Sequence, residues 1–125
     1  MPKIVRFEEL LCWQKARVLA NAIYELTERP TFSRDARLRG QIQGAAGSVM
    51  HNIAEGFDSG SKPEFIRFLK MSRRSANEVQ SELYLARDCK YISEKEREAA
   101  YDLANETKQL VNGMIKHLRG KSDSV

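Results

Sequence analysis

Cationic side chains at helical spacing are the chemistry this sequence offers most clearly. Arg67, Lys70 and Arg74 share one face of a predicted helix with Arg73 beside them, and Arg34, Arg37 and Arg39 open the preceding helix. A guanidinium presents paired donors and does not lose its charge, which suits phosphate. Several such groups together gain affinity for a nucleic acid by releasing its counterions. Arg34, Arg37, Arg67, Lys70, Arg73 and Arg74 are therefore the predicted nucleic-acid contacts. No aromatic row accompanies them, so base stacking is not indicated. The competing reading of the same residues is a solvated surface.

Other chemistries find less support. Metal sites in helical bundles use carboxylates with Glu-x-x-His spacing; here Ser48 precedes His51 by three residues and Met114 precedes His117 by three. Cys12 and Cys89 have no partner at metal-finger spacing. The glycine-rich phosphate loops of nucleotide enzymes are missing, and no nucleophile, base and orienter stand together. The sequence predicts no catalytic residue, no metal, no cofactor and no enzymatic activity.

A second signal is steric. Gly40, Gly44 and Gly47 recur on one side of a helix whose other side carries Leu38, Ile42, Ala45, Val49 and Ile53. Each internal glycine costs about 1 kcal/mol relative to alanine, so the smooth strip points to close approach by something else. With Trp13, the only tryptophan, these glycines are the expected oligomer-packing residues. Asn52 and Glu55 are expected to tie the end of this helix to the following loop, with Gly56 closing it in a left-handed conformation.

Four amphipathic segments position these groups. Apolar residues at three- and four-residue spacing predict helices over about 8–27, 34–56, 62–90 and 94–119, followed by a polar tail at 120–125. Trp13, Ala16, Ala20, Ile23 and Thr27 mark the first stripe. Phe65, Phe68, Leu69, Ser72, Ala76, Val79, Leu83 and Ala86 mark the third, and Ala100, Leu103, Leu110, Met114 and His117 the fourth. Ser33 is the expected cap of the second helix. Ser61 with Glu64 and Ser93 with Glu96 have capping-box spacing. Nothing reads as a strand. Short loops favour antiparallel neighbours, so the expected fold is all-α, one domain over 1–125, an antiparallel up-down-up-down four-helix bundle.

A hydrophobic content of 42% with 30% charged residues excludes wholesale disorder. No apolar run reaches the length of a signal peptide or a membrane span, and two cysteines form no disulfide framework. The expectation is a cytoplasmic protein with reduced thiols and no membrane partner. Net charge is +4, but it is unevenly spread. From Arg29 to Arg74 nine Lys/Arg face four Asp/Glu; from Ser75 to Glu106 four face eight. Such a chain presents one basic and one acidic surface, or else its halves attract one another across neighbouring helices or subunits.

Trp13-Gln14-Lys15-Ala16, Gln41-Ile42 with Ala45-Ala46 and Ser48, Asn52-Ile53-Ala54-Glu55-Gly56, Glu64-Phe65, Phe68-Leu69 and Ser75-Ala76-Asn77-Glu78 follow one another in that order. In this the chain resembles the four-helix-bundle family of proteins encoded in intervening sequences of bacterial 23S ribosomal RNA genes. The accessory variability determinant of diversity-generating retroelements is a relative of that family. The resemblance implies a homopentameric bundle, ring-like or barrel-like, with no catalytic residues. For the retroelement relatives it implies a basic surface that binds nucleic acid and a reverse transcriptase. Many relatives carry basic residues where this chain has Gln43 and Gly44, which shifts the emphasis from RNA toward packing.

The leading expectation is a non-enzymatic homo-oligomer, pentameric by resemblance, that binds structured RNA or a ribonucleoprotein through its basic surface. The alternative is an assembly scaffold whose basic and acidic regions pair between subunits.

Overall fold

The computed structural model describes residues 3–123. A 3-10 turn, Phe7–Glu9, precedes five helices: α1 (Leu11–Thr27), α2 (Pro30–Ser33), α3 (Ala36–Phe57), α4 (Lys62–Asp88) and α5 (Glu94–Asp123). No strand occurs among the described residues. The four long helices surround one core, α1 packing on α3 and α5, and α4 packing on α3 and α5.

The predicted stripes build that core. Leu38, Ile42, Ala45, Val49 and Ile53 of α3 are all buried, as are Phe65, Leu69, Ser72, Ala76, Val79 and Leu83 of α4. Among the described residues the buried side-chain polar atoms find partners, with Glu82 Oε1 the exception. Ser72 Oγ donates to the Val49 carbonyl (2.7 Å) and Gln43 Nε2 to Thr27 Oγ1 (2.8 Å). In α5 the buried row is Ala100, Ala104, Thr107, Val111, Ile115 and Leu118. That differs from the expected stripe: Leu103, Leu110 and Met114 only flank it and His117 is exposed. Reading the larger apolar residues as the centre of the stripe misplaced it, because small Ala104 and Thr107 hold fully buried positions.

Boundaries differ where local chemistry outweighs periodicity. Helix α1 starts at Leu11, not near residue 8, because Leu10 is extended (ψ 127°) and buries its side chain. Beyond α1, Pro30 starts the one-turn helix α2 with its φ pre-set. Phe32 of that turn is fully buried. Asp35, not Ser33, caps α3, its carboxylate accepting from the Leu38 N–H at 3.0 Å; Ser33 Oγ instead donates to the Pro30 carbonyl. Both capping serines are in place, Ser61 Oγ accepting from Glu64 N–H and Ser93 Oγ from Glu96 N–H. At Ser93 the box is reciprocal, Glu96 accepting from the Ser93 N–H at 2.9 Å. Helix α5 continues to Asp123, so the tail expected from residue 120 is helical as far as it is described; residues 124 and 125 lie outside the described part.

Gly56 does not take a left-handed conformation. It sits inside α3, buried, and the helix continues to Phe57 with Asp58 as its cap. A Cβ there would lie 2.7 Å from Phe68 Cβ and 2.9 Å from Phe65 Cδ1. At Gly56, therefore, α3 leaves no room for a side chain against α4, and positive φ belongs instead to Gly60 (86°) and Lys90 (65°).

Candidate nucleic-acid interface

The six predicted phosphate contacts do not form one cluster. Gly56, near the end of α3, packs on Phe65 and Phe68 at the start of α4. Asp35, at the start of α3, accepts a hydrogen bond from Tyr91 just past the end of α4 (2.9 Å). Arg34 and Arg37 are therefore separated from Arg67 and Lys70 by nearly the length of α3, whose 22 residues span about 33 Å.

Within α4 the cations also differ from one another. Arg67 is engaged: its Nε and Nη2 donate to Glu64 at 2.9–3.2 Å and its guanidinium lies 4.6 Å from the Phe68 ring centroid. That hydrogen-bonded pair holds the Glu64 carboxyl below its usual range and raises Arg67. Arg73 is half-buried and donates through Nη1 to Asn112 Oδ1 at 2.6 Å. Lys70 and Arg74 are exposed, with no hydrogen-bond or ion-pair partner among the described residues.

Helix α5 supplies residues that sequence reading missed. A cleft of about 440 Å³ between α4 and α5 is lined by Arg73, Asn112, Ile115, Lys116, Arg119 and Gly120. Lys116 and Arg119 are exposed and unpaired among the described residues. One turn along the seam, Lys108 Nζ donates to Asn77 Oδ1 (2.7 Å) and Gln80 Oε1 (2.9 Å). The signal was present: residues 65–77 and 107–120 contain no Asp or Glu at all. Charge counting that stopped at Glu106 could not see that the two acid-free stretches face each other.

The other half of the same seam has the opposite character. Arg87 donates to Glu94 (3.0 and 3.1 Å) and to Asp88. Arg97 bonds Glu94 and stacks on Tyr84 (4.6 Å) and Tyr101 (5.5 Å). Arg29 of the α1–α2 loop pairs with Glu96, which that hydrogen bond, with one from the Ser93 backbone, lowers to about 2. These guanidinium groups are already satisfied.

Trp13 is half-buried, edge-on to Phe7 (5.1 Å between centroids) and 5.8 Å from Arg17. Gly40 and Gly44 are exposed, and a Cβ on either would meet nothing within 4 Å; one at Gly47 would meet only His51, at 3.6 Å. Asn52 does not tie down the loop: its Nδ2 donates to the Ser48 carbonyl one turn back (2.9 Å). Ser59 does so instead, its Oγ donating to the Gly56 carbonyl at 2.6 Å. Glu55 is exposed and lines a cleft of about 790 Å³ with Phe7, Phe57 and Phe68. Both thiols are free, Cys12 buried and Cys89 exposed, and burial pushes Cys12 up to about 11. No group of His, Cys, Asp and Glu among the described residues could hold a metal ion, and no helix is long and apolar enough to cross a membrane.

Fold and surface together define a small helical protein whose α4/α5 seam is carboxylate-paired at one end and acid-free at the other. The family model of the 23S rRNA-intervening sequence protein matches residues 8–113, and the chain belongs to that family. A crystal structure of a protein with unknown function from the S23 ribosomal protein family of Bacteroides thetaiotaomicron superposes with a TM-score of 0.76. The two are 24% identical, and the match covers 85% of this chain and 99% of that one, a likeness of fold. No curated protein matches.

Proposed function

We propose that this chain is a non-enzymatic, cytoplasmic homo-oligomer that binds structured RNA or a ribonucleoprotein through the acid-free half of the α4/α5 seam. The observation that carries the reading is the group Lys70, Arg74, Lys116 and Arg119: four cations on two facing helices with no carboxylate partner among the described residues. Arg73 completes the group, whereas Arg67 belongs to Glu64, and Arg34 and Arg37 lie at the far end of α3. The bundle is read as antiparallel, up-down-up-down, on contacts such as Ser72 to Val49, Arg73 to Asn112 and Lys15 to Glu106. Exposed Leu11 (66%) and Val18 (49%) along α1, with the open Gly40–Gly44 strip, support self-association. Five copies are proposed on the family resemblance, and a reverse transcriptase as a protein partner on the resemblance to retroelement proteins. Anisotropy of a labelled, structured ribosomal RNA fragment across a salt series tests the reading. Binding whose log affinity falls steeply with log salt is expected; no binding at low salt would exclude it.

The second reading is an assembly scaffold, favoured by the exposed carboxylates Glu98 and Asp102 on α5, which another copy's acid-free seam could meet. Under it, reversing Lys70, Arg74 and Arg119 to Glu lowers the oligomer mass; under the RNA reading the mass is unchanged.

A further inference from the structure

Where cations on this protein bond a side-chain oxygen, that oxygen usually belongs to a carboxylate, as with Arg29 and Glu96 or Arg87 and Glu94. Two cations break the pattern, and they are adjacent. Arg73 of α4 donates across the seam to Asn112 of α5. One turn on, Lys108 of α5 donates back across it to Asn77 and Gln80 of α4. The arrangement is reciprocal, each helix giving one cation and one or two amides.

An amide oxygen fixes a long cationic side chain as a carboxylate does, but adds no opposing charge. Arg73 has five N–H donors and Lys108 three; one is used on Asn112 in the first, and two on Asn77 and Gln80 in the second. Both cations thus stand oriented and still charged, with donors left for an anion. Loose lysines and arginines must be ordered when a ligand binds; these are ordered beforehand.

Building on the RNA reading, we infer that Asn77, Gln80 and Asn112 are positioning residues that hold Lys108 and Arg73 ready for phosphate, making this half of the seam a track for one phosphodiester strand. From Lys108 to Arg119 the track is eleven residues of helix, about 16 Å. At 3.4 Å of axis per phosphate of one strand, that accommodates about five phosphates. The ligand's backbone is what is recognised. The seam's aromatic side chains, Tyr84 and Tyr101, lie in the other half, edge-on to each other and each covered by Arg97.

The test changes charge while keeping the acceptor. Asn77→Asp with Asn112→Asp keeps an acceptor at each position and neutralises both cations; Asn77→Ala with Asn112→Ala removes the acceptors at 77 and 112, leaving Lys108 its bond to Gln80 alone, and leaves the cations charged. Each pair is assayed with the structured RNA fragment across salt, with melting temperature and oligomer mass as controls. The Asp pair is expected to bind roughly 30-fold more weakly at 0.1 M salt, with a log–log slope shallower by about 1.5, two phosphate contacts' worth. Its fold is unharmed, since it gains two surface ion pairs. The Ala pair loses only a few-fold and keeps its slope. Equal effects of the Asp and Ala pairs, or an Asp pair that binds like the parent protein, would overturn the inference. If the Asp pair binds normally while Lys70→Gln, Arg74→Gln and Arg119→Gln together abolish binding, the RNA reading stands without it. If the parent protein binds no RNA, both fall.

Discussion

The two halves of the α4/α5 seam are made of similar residues and do different work. Toward the α4–α5 loop, Arg87 and Arg97 converge on Glu94, and Arg29 reaches Glu96 from outside. Toward the far end, Arg73 and Lys108 are held by amides, and Lys70, Lys116 and Arg119 by nothing among the described residues. Positive charge alone therefore says little about binding. What distinguishes the halves is the partner: a carboxylate makes an arginine part of the fold, while an amide or open solvent leaves its charge for a ligand.

The strongest way to break this contrast is charge reversal in the acid-free half. Lys70→Glu, Arg74→Glu, Lys116→Glu and Arg119→Glu together should abolish RNA binding, a loss of 3 kcal/mol or more on the scale of about four phosphate contacts. Analytical ultracentrifugation should find the oligomer unchanged. Next in size is the packing that seats the start of α4. Gly56→Ala forces a methyl group to 2.7 Å from Phe68 Cβ and should destabilise the fold by roughly 2 kcal/mol in urea unfolding. By contrast, Gly44→Ala, where a Cβ meets nothing within 4 Å, should stabilise an isolated subunit by up to about 1 kcal/mol. Gly44→Leu extends that test: an unchanged oligomer mass would mean that the strip is not a subunit contact.

Smaller effects come from carboxylates of opposite sign. Glu82 of α4 is half-buried with Oε1 unpartnered, and burial, with Glu78 nearby, raises it to about 7. The folded state therefore holds this proton more tightly than the unfolded state. Its contribution to stability is most favourable below the ordinary value of 4.5 and is lost as pH rises to about 7. Glu82→Gln should flatten that dependence and stabilise the protein at pH 8 by about 1 kcal/mol, solvent screening included. Glu96 runs the other way: its stabilisation is present above 4.5 and disappears as pH falls toward 2. Its pair with Arg29 is at the surface, so Glu96→Gln should cost at most about 1 kcal/mol at pH 7.

Much of the fold was legible because burial repeats at helical spacing. The α3 stripe from Leu38 to Ile53 and the α4 stripe from Phe65 to Leu83 are where the sequence puts them. The α5 stripe was harder, since Ala104 and Thr107 carry little hydrophobic signal yet occupy the centre. The candidate site was half legible. Lys70, Arg73 and Arg74 were found from one helix face, but Lys116 and Arg119 are more than forty residues away in sequence and meet α4 only through packing. Arg67 could not be told from Lys70 without seeing Glu64 close on it. Nor could Gly56 be read correctly: a glycine near a helix end commonly caps it, and only the contact with Phe65 and Phe68 assigns it to close approach.

The central claim is tested most directly by comparing the two halves in one assay. RNA binding is measured across a salt series for the parent protein, for Lys70→Gln/Arg74→Gln/Lys116→Gln/Arg119→Gln, and for Arg29→Gln/Arg87→Gln. The account predicts that the first variant has a log–log slope shallower by about three, from four lost phosphate contacts, and that the second keeps the parent slope. Equal loss from the two variants, or loss confined to the second, would contradict it.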